Sequence, residues 1–289
     1  MSAPIVVGVD GSASAVRAAE WAAAEAVRHR VPLELVHAFM PPTRGYPEIV
    51  LTGHEVREAF EGQGRRWLAE AADAVRAAVP EVGTSLVVDT PAGALISESR
   101  RAGLVVVGSR GLGGFSGLLV GSVAVAVSAH GECPVVVVRE PRRPDGPVVV
   151  GVDGSPASEE AVGFAFEEAS RWDAPLDAVI AWNDFLVDSP YGSRLTVDWS
   201  QVEDEQRRVL AERLAGWQEK YPDVRVDRVV VRDRPVRALL RAAENARLLV
   251  VGSRGHGGFT GMLLGSTSQA LVHHASCPLA VVRPLHAKR

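Results

Sequence analysis

The first half of the chain alternates between short runs that are apolar throughout and longer stretches whose apolar positions recur every three or four residues. The runs at 4–9, 33–39, 84–88, 104–107 and 135–138 have the length and the Val, Ile and Leu content of strands buried on both faces. Between them, 14–30 sets Val16, Ala19, Ala23, Ala26 and Val27 on one helical face. A long helix is predicted over 54–79, stopped by Pro80, with shorter ones over 92–102 and 117–130. Pro41, Pro42, Gly45, Pro47 and Gly53 make 40–53 a loop. The second half repeats the series, with strands at 148–152, 176–182, 224–231, 248–251 and 279–282 and helices at 158–172, 197–221, 236–245 and 262–274. Five apolar strands alternating with helices predict an α/β fold, an open parallel sheet with helices on both faces, twice over. Ligands of such sheets sit beyond the carboxyl ends of the strands, where the strand order reverses.

The two halves are copies. Ile5-Val6-Val7-Gly8-Val9-Asp10-Gly11-Ser12 returns as Val148-Val149-Val150-Gly151-Val152-Asp153-Gly154-Ser155, and Cys133-Pro134 returns as Cys277-Pro278. The period, from Asp10 to Asp153, is far longer than the roughly 20–50 residues of a solenoid repeat, so each copy is a domain. Domains are predicted over 1–140 and 147–289, joined by the charged, proline-broken linker 141–146.

Composition narrows the class. A hydrophobic share of 47% and a charged share of 23% over 289 residues are those of an ordinary globular protein. The net charge of −4 argues against a nucleic-acid partner, and no apolar run approaches the roughly 18 residues of a membrane helix. The N-terminus has no basic segment ahead of its first strand, so no signal peptide is expected and the cytoplasm is the expected compartment. Cys133 and Cys277 each precede a proline at the start of an apolar run, which favours buried, reduced thiols.

The chemistry gathers in one stretch written twice. Gly108-Ser109-Arg110-Gly111-Leu112-Gly113-Gly114-Phe115 leaves an apolar strand and leads to Gly121-Ser122. Gly252-Ser253-Arg254-Gly255-His256-Gly257-Gly258-Phe259 does the same ahead of Gly265-Ser266-Thr267. A glycine loop between a strand and a helix presents backbone N–H groups and the positive end of a helix dipole, a site for phosphate-like anions. A P-loop would need a lysine, and the chain's only lysines are Lys220 and Lys288. The dinucleotide fingerprint would need Gly-x-Gly-x-x-Gly after the first strand, where this chain has Gly8-Val9-Asp10-Gly11-Ser12.

Gly-x2-Gly-x9-Gly-Ser, present in both halves, resembles the ATP-binding pattern of the universal stress protein family. The resemblance extends to Val-Asp-Gly-Ser after the first strand, to Gly-Gly-Phe, and to the Cys-Pro entry to the last strand. It covers essentially the whole chain twice, in the manner of tandem two-domain actinobacterial members. It implies a Rossmann-like sheet of order 3-2-1-4-5, like that of adenine nucleotide alpha hydrolases, with the domains paired through their fifth strands as an intramolecular pseudo-dimer. Further homodimerisation stays open. It also implies one ATP per domain, with Mg²⁺ on the phosphates, in a nucleotide-dependent regulator of the stress or dormancy response. In the first half the implied contacts are Gly8, Asp10, Ala38, the loop Gly108, Ser109, Arg110, Gly111, Leu112, Gly113 and Gly114, and Gly121, Ser122 and Val123. In the second they are Gly151, Asp153, Asp184, the loop Gly252, Ser253, Arg254, Gly255, His256, Gly257 and Gly258, and Gly265, Ser266 and Thr267.

Other residues have plainer readings. Asp10 and Asp153 are also placed to cap the helices that follow them. Arg110 and Arg254 can reach phosphate or water. His130, His273 and His274 lie near helix C-termini, favourable for their charge, and have no partners at metal spacing, so no metal site is expected. Trp21, Trp67, Trp172 and Trp217 read as core or interface, and 225–241 as a solvated, arginine-rich face. No nucleophile stands beside a base, so the loops suit holding a nucleotide rather than cleaving it. The alternative is a slow ATPase or nucleotidyl-transfer enzyme on the same scaffold.

Overall fold

The computed structural model describes residues 3–40, 53–79, 81–112, 120–140, 143–182, 198–255 and 263–284. The chain divides into two compact units, Met1–Arg139 and Glu140–Arg289. In the first, β1 (Ile5–Gly8), α1 (Ala13–His29), β2 (Leu33–Phe39), α2 (Gly53–Val75), β3 (Val82–Val88), α3 (Pro91–Glu98), β4 (Leu104–Gly108), α4 (Ser122–His130) and β5 (Val135–Val138) follow in order. The second has β6 (Val148–Gly151), α5 (Pro156–Trp172), β7 (Leu176–Trp182), α6 (Trp199–Lys220), β8 (Val226–Arg232), α7 (Pro235–Ala243), β9 (Leu248–Gly252), α8 (Ser266–His274) and β10 (Leu279–Val282).

Within each unit every strand pairing is parallel, and the order is β3-β2-β1-β4-β5 in the first and β8-β7-β6-β9-β10 in the second. This is the order that the family resemblance implies. The inner strands β1, β4, β6 and β9 are buried along almost their whole length because helices cover both faces. The outermost β3 and β8 are largely open, which is why their sequences mix polar residues with valines. Helix α1 turns Ala15, Ala18, Ala19, Ala22, Ala23 and Ala26 inward, and such small side chains let a helix lie close on β1 and β4. Ile5, Leu33 and Leu35, each no more than 2% exposed, contribute about 1.5–3 kcal/mol apiece by burial.

Helix ends carry local signals. Ser12 and Ser155 cap α1 and α5, their hydroxyls accepting from the Ala15 and Ser158 N–H groups. The caps are therefore these serines and not Asp10 or Asp153, whose carboxylates each accept from the capping serine's own N–H. Helix α2 stops at Val75 in a turn, short of the predicted 79. Helices α4 and α8 start later than predicted, at Ser122 and Ser266. Gly121 and Gly265 lie outside them as extended N-cap residues, because each donates its N–H back to Ser109 or Ser253 at 2.8 Å.

Candidate functional site

Since β1 pairs with β4, the loops leaving their carboxyl ends are neighbours, and polar side chains stitch them together. The Asp10 carboxylate accepts from Ser12 N–H and, through its second oxygen, from Leu112 N–H, both at 3.0 Å. Ser12 Oγ donates to the Arg110 carbonyl at 3.3 Å, and Arg110 N–H donates to Ser14 Oγ at 3.4 Å. Two glycines permit this closeness. A Cβ on Gly111 would stand 2.3 Å from Asp10 Oδ2, and one on Gly108 would meet the Ser14 backbone at 2.8 Å.

Above these loops lies a cavity of about 480 Å³. Of the sequence-predicted contacts in the first domain, Gly8, Asp10, Ala38, Gly108, Arg110, Gly111, Gly121, Ser122 and Val123 line it. Ser109 and Leu112 are not among the lining residues; Ser109 supplies the carbonyl that holds Gly121, and Leu112 the N–H that holds Asp10. Gly113 and Gly114 lie outside the described residues. Sequence reasoning missed the wall contributed by α3, where Pro91 and Leu95 face the cavity. A signal for it exists, since the pair returns at equal spacing as Pro235 and Leu239 on α7.

The cavity has two characters. Val36, Ala38, Val107 and Leu95 make one part apolar. At the other, α4 begins without a side-chain cap among the described residues, so its first turn presents N–H groups and the positive end of the helix dipole. Asp10 and Arg110 are the charged side chains among the lining residues. This arrangement can take a ligand that is flat and apolar at one end and anionic at the other.

The second domain repeats part of the stitching, Ala157 standing where the first has Ser14. Asp153 accepts from Ser155 N–H at 2.9 Å, Ser155 Oγ donates to the Arg254 carbonyl at 3.3 Å, and a Cβ on Gly255 would come within 2.3 Å of Asp153 Oδ2. Gly151 ends β6 and Gly252 ends β9, while Gly265, Ser266 and Thr267 open α8. Asp184, His256, Gly257 and Gly258 lie outside the described residues.

The rims differ. At the step from β8 to α7, Asp233 is buried and accepts from Arg234 N–H at 2.6 Å and from the Arg237 and Arg241 guanidiniums. Burial alone would raise its carboxyl, but the Arg237 hydrogen bond, the Arg234 N–H and the two guanidinium charges hold it below the ordinary carboxylate range. The stretch read as solvated thus conceals a buried anion. Arg232 stacks its guanidinium 4.3 Å from the ring centre of Trp199, whose own ring stacks on Trp182 at 5.8 Å.

The cysteines behave as read. Both are free and buried, and burial pushes the Cys133 thiol up to about 12. His130, His273 and His274 occupy the last turns of α4 and α8. Trp67 packs edge-on against His37, and Trp217 stacks on Phe166.

The model of the universal stress protein family matches residues 1–139 and again 146–283. The chain belongs to that family. It is 42% identical over 289 residues to a universal stress protein of Mycobacterium tuberculosis, with 96% of each chain covered. A universal stress protein of Mycobacterium bovis is 43% identical over 295 residues, again with 96% of each covered. Among solved structures, a universal stress protein from Archaeoglobus fulgidus superposes with a TM-score of 0.70 over 97% of this chain and 98% of its own, at 21% identity, which speaks to the fold. Among the described residues, no helix of this universal stress protein is long and apolar enough to cross a membrane.

Proposed function

We propose that each domain of this universal stress protein binds one ATP and that nucleotide occupancy regulates what the protein does under stress. The observation that carries this reading is the convergence of Gly8, Asp10, Gly108, Gly111, Gly121 and Ser122 on one cavity whose size and two characters suit an adenine nucleotide. The apolar part between Ala38 and Leu95 suits the base. The glycine loop and the uncapped start of α4 suit the phosphates. Asp10 offers the one carboxylate among the lining residues, so a Mg²⁺ travelling with the nucleotide would take most of its ligands from phosphate oxygens and water. Asp10 is already engaged by two N–H groups, an arrangement that suits a positioning acceptor better than a base. The reading is accordingly one of holding ATP rather than hydrolysing it.

Acid extraction of the purified protein followed by nucleotide chromatography, together with calorimetric titration by ATP and Mg²⁺, tests the proposal. Co-purified adenine nucleotide or saturable ATP binding is expected. A protein that carries no nucleotide and gives no binding heat overturns it.

A further inference from the structure

Residues lining the first cavity and their counterparts in the repeat differ at four positions: Ala15, Val120, Val123 and Ala124 stand where the second domain has Ser158, Leu264, Thr267 and Ser268, and two of these exchanges can be read in hydrogen bonds. Ala15 and Ala124 line the cavity of the first domain. Their counterparts in the repeat are Ser158 and Ser268, 3% and 4% exposed. The backbone around the first pair of positions is the same in both copies: Ala15 N–H donates to Ser12 Oγ at 3.1 Å, and Ser158 N–H to Ser155 Oγ at 3.2 Å. What changes is the place of the hydroxyl, which the first copy carries one residue earlier, on Ser14, where the second has Ala157.

Each hydroxyl engages a group at the mouth of a strand. Ser158 Oγ accepts from Asp153 N–H at 3.1 Å. Among the described residues the equivalent Asp10 N–H meets no acceptor, and Asp10 lines the cavity. Ser268 Oγ donates to the Gly252 carbonyl at 2.6 Å, putting a polar, tethered atom where the first domain has only the Ala124 methyl group.

We infer that Ser158 and Ser268 set the second domain apart as the weaker nucleotide site, with Ala15 and Ala124 marking the tighter one. This rests on the reading that both domains bind ATP. A donor that already has an internal acceptor adds nothing to a ligand, and one neutral hydrogen bond is worth roughly 2- to 12-fold in affinity. A hydroxyl replacing methyl surface against the ligand acts in the same direction. The expected gap between the sites is about 10-fold.

The experiment is a calorimetric titration of the full chain with ATP and Mg²⁺, with thermal unfolding recorded for each variant to confirm that it is folded. The wild type should give two constants about 10-fold apart. Ser158→Ala with Ser268→Ala should tighten the weaker site toward the stronger. The reciprocal pair, Ala15→Ser with Ala124→Ser, should weaken the stronger site and leave the weaker in place. Two equal sites in the wild type, or constants that neither double variant moves, overturn the inference while leaving ATP binding intact. Absence of heat from every variant overturns both that binding and the inference built on it.

Discussion

Set side by side, the two domains have kept one set of features and changed another. The Asp-Gly-Ser turn, the late-starting helix and the bond from the capping serine to the arginine carbonyl recur in both, and the glycine spacing recurs in sequence. The rim does not. Val88, Thr90, Gly93 and Ser97 of the first domain stand where the second has Arg232, Arg234, Arg237 and Arg241. The aspartate between them persists: Asp89 and Asp233 each accept from the next residue's N–H at 2.6 Å, but among the described residues only Asp233 also gathers arginines. What recurs is therefore backbone geometry, which few residue types can supply. What varies is side chains laid over it, where many will do. The retained part is the reason to assign both copies a common ligand class, and the varied part is the reason to expect them to handle it differently.

The largest effect expected from breaking this comparison is at the retained glycines. Gly108→Ala and Gly252→Ala each drive a Cβ into backbone, of Ser14 at 2.8 Å and of Ala157 at 2.7 Å, which cannot yield as a side-chain tip would. Each should cost about 1–3 kcal/mol in thermal or denaturant unfolding. Among the described residues Gly121→Ala meets nothing nearer than 3.7 Å and should leave the unfolding transition in place, so any loss of ATP binding it causes reports on the cavity alone.

Next comes the changed rim. Asp233→Asn should lower the melting temperature more than Asp89→Asn, since it leaves Arg237 and Arg241 without their shared anion. Asp233 titrates below its unfolded value, so its contribution is present at neutral pH and is lost as pH falls through the depressed folded value. Wild type and Asp233→Asn should therefore converge in acid.

A smaller effect of opposite sign is expected on the outer strands of the second sheet. Asp177 on β7 lies directly beside Asp227 on β8, and burial, then that neighbouring charge, raises its carboxyl above the usual range against the pull of Arg225. Its ionised form costs stability at neutral pH, and the cost fades as pH falls through the raised value. Asp177→Asn should raise the melting temperature at neutral pH and give no gain in acid. In the first sheet Glu34 sits at that position and pairs with Arg101, so Glu34→Gln should not stabilise. The smallest signal is chemical. With its thiol pushed up to about 12, Cys133 should resist thiol reagents in the folded protein at mildly alkaline pH and react once denatured.

Much of this molecule was legible in its sequence, for identifiable reasons. Buried parallel strands must be apolar throughout, and the duplication printed the pattern twice, so the order of elements and the two loops could be read directly. What could not be read depends on contacts across the chain. The α3 wall forms because Gly8 lacks a Cβ, which would otherwise stand 2.7 Å from Leu95, and nothing local to residues 91–98 announces that meeting. The start of α4 is set by a hydrogen bond from Gly121 to Ser109, twelve residues back, which helical periodicity does not register. Asp233 looks like one more surface charge until α7 brings its arginines round. Asp10 looked placed to cap α1, and the turn geometry gave that role to Ser12 instead.

The stitched loops also bear on the order of events while the protein is being made. The bonds from Ser12, Ser14 and Asp10 to residues 110–112 bridge 96 to 102 positions of chain, so the first cavity cannot exist in a short nascent fragment. Yet its described lining residues all fall between Gly8 and Ala124, in the first half of the chain. At about 5–20 residues per second, the rest of the chain takes roughly 10–30 s to emerge. For that interval the residues that line the first cavity are already made, before the second domain has a sheet of its own.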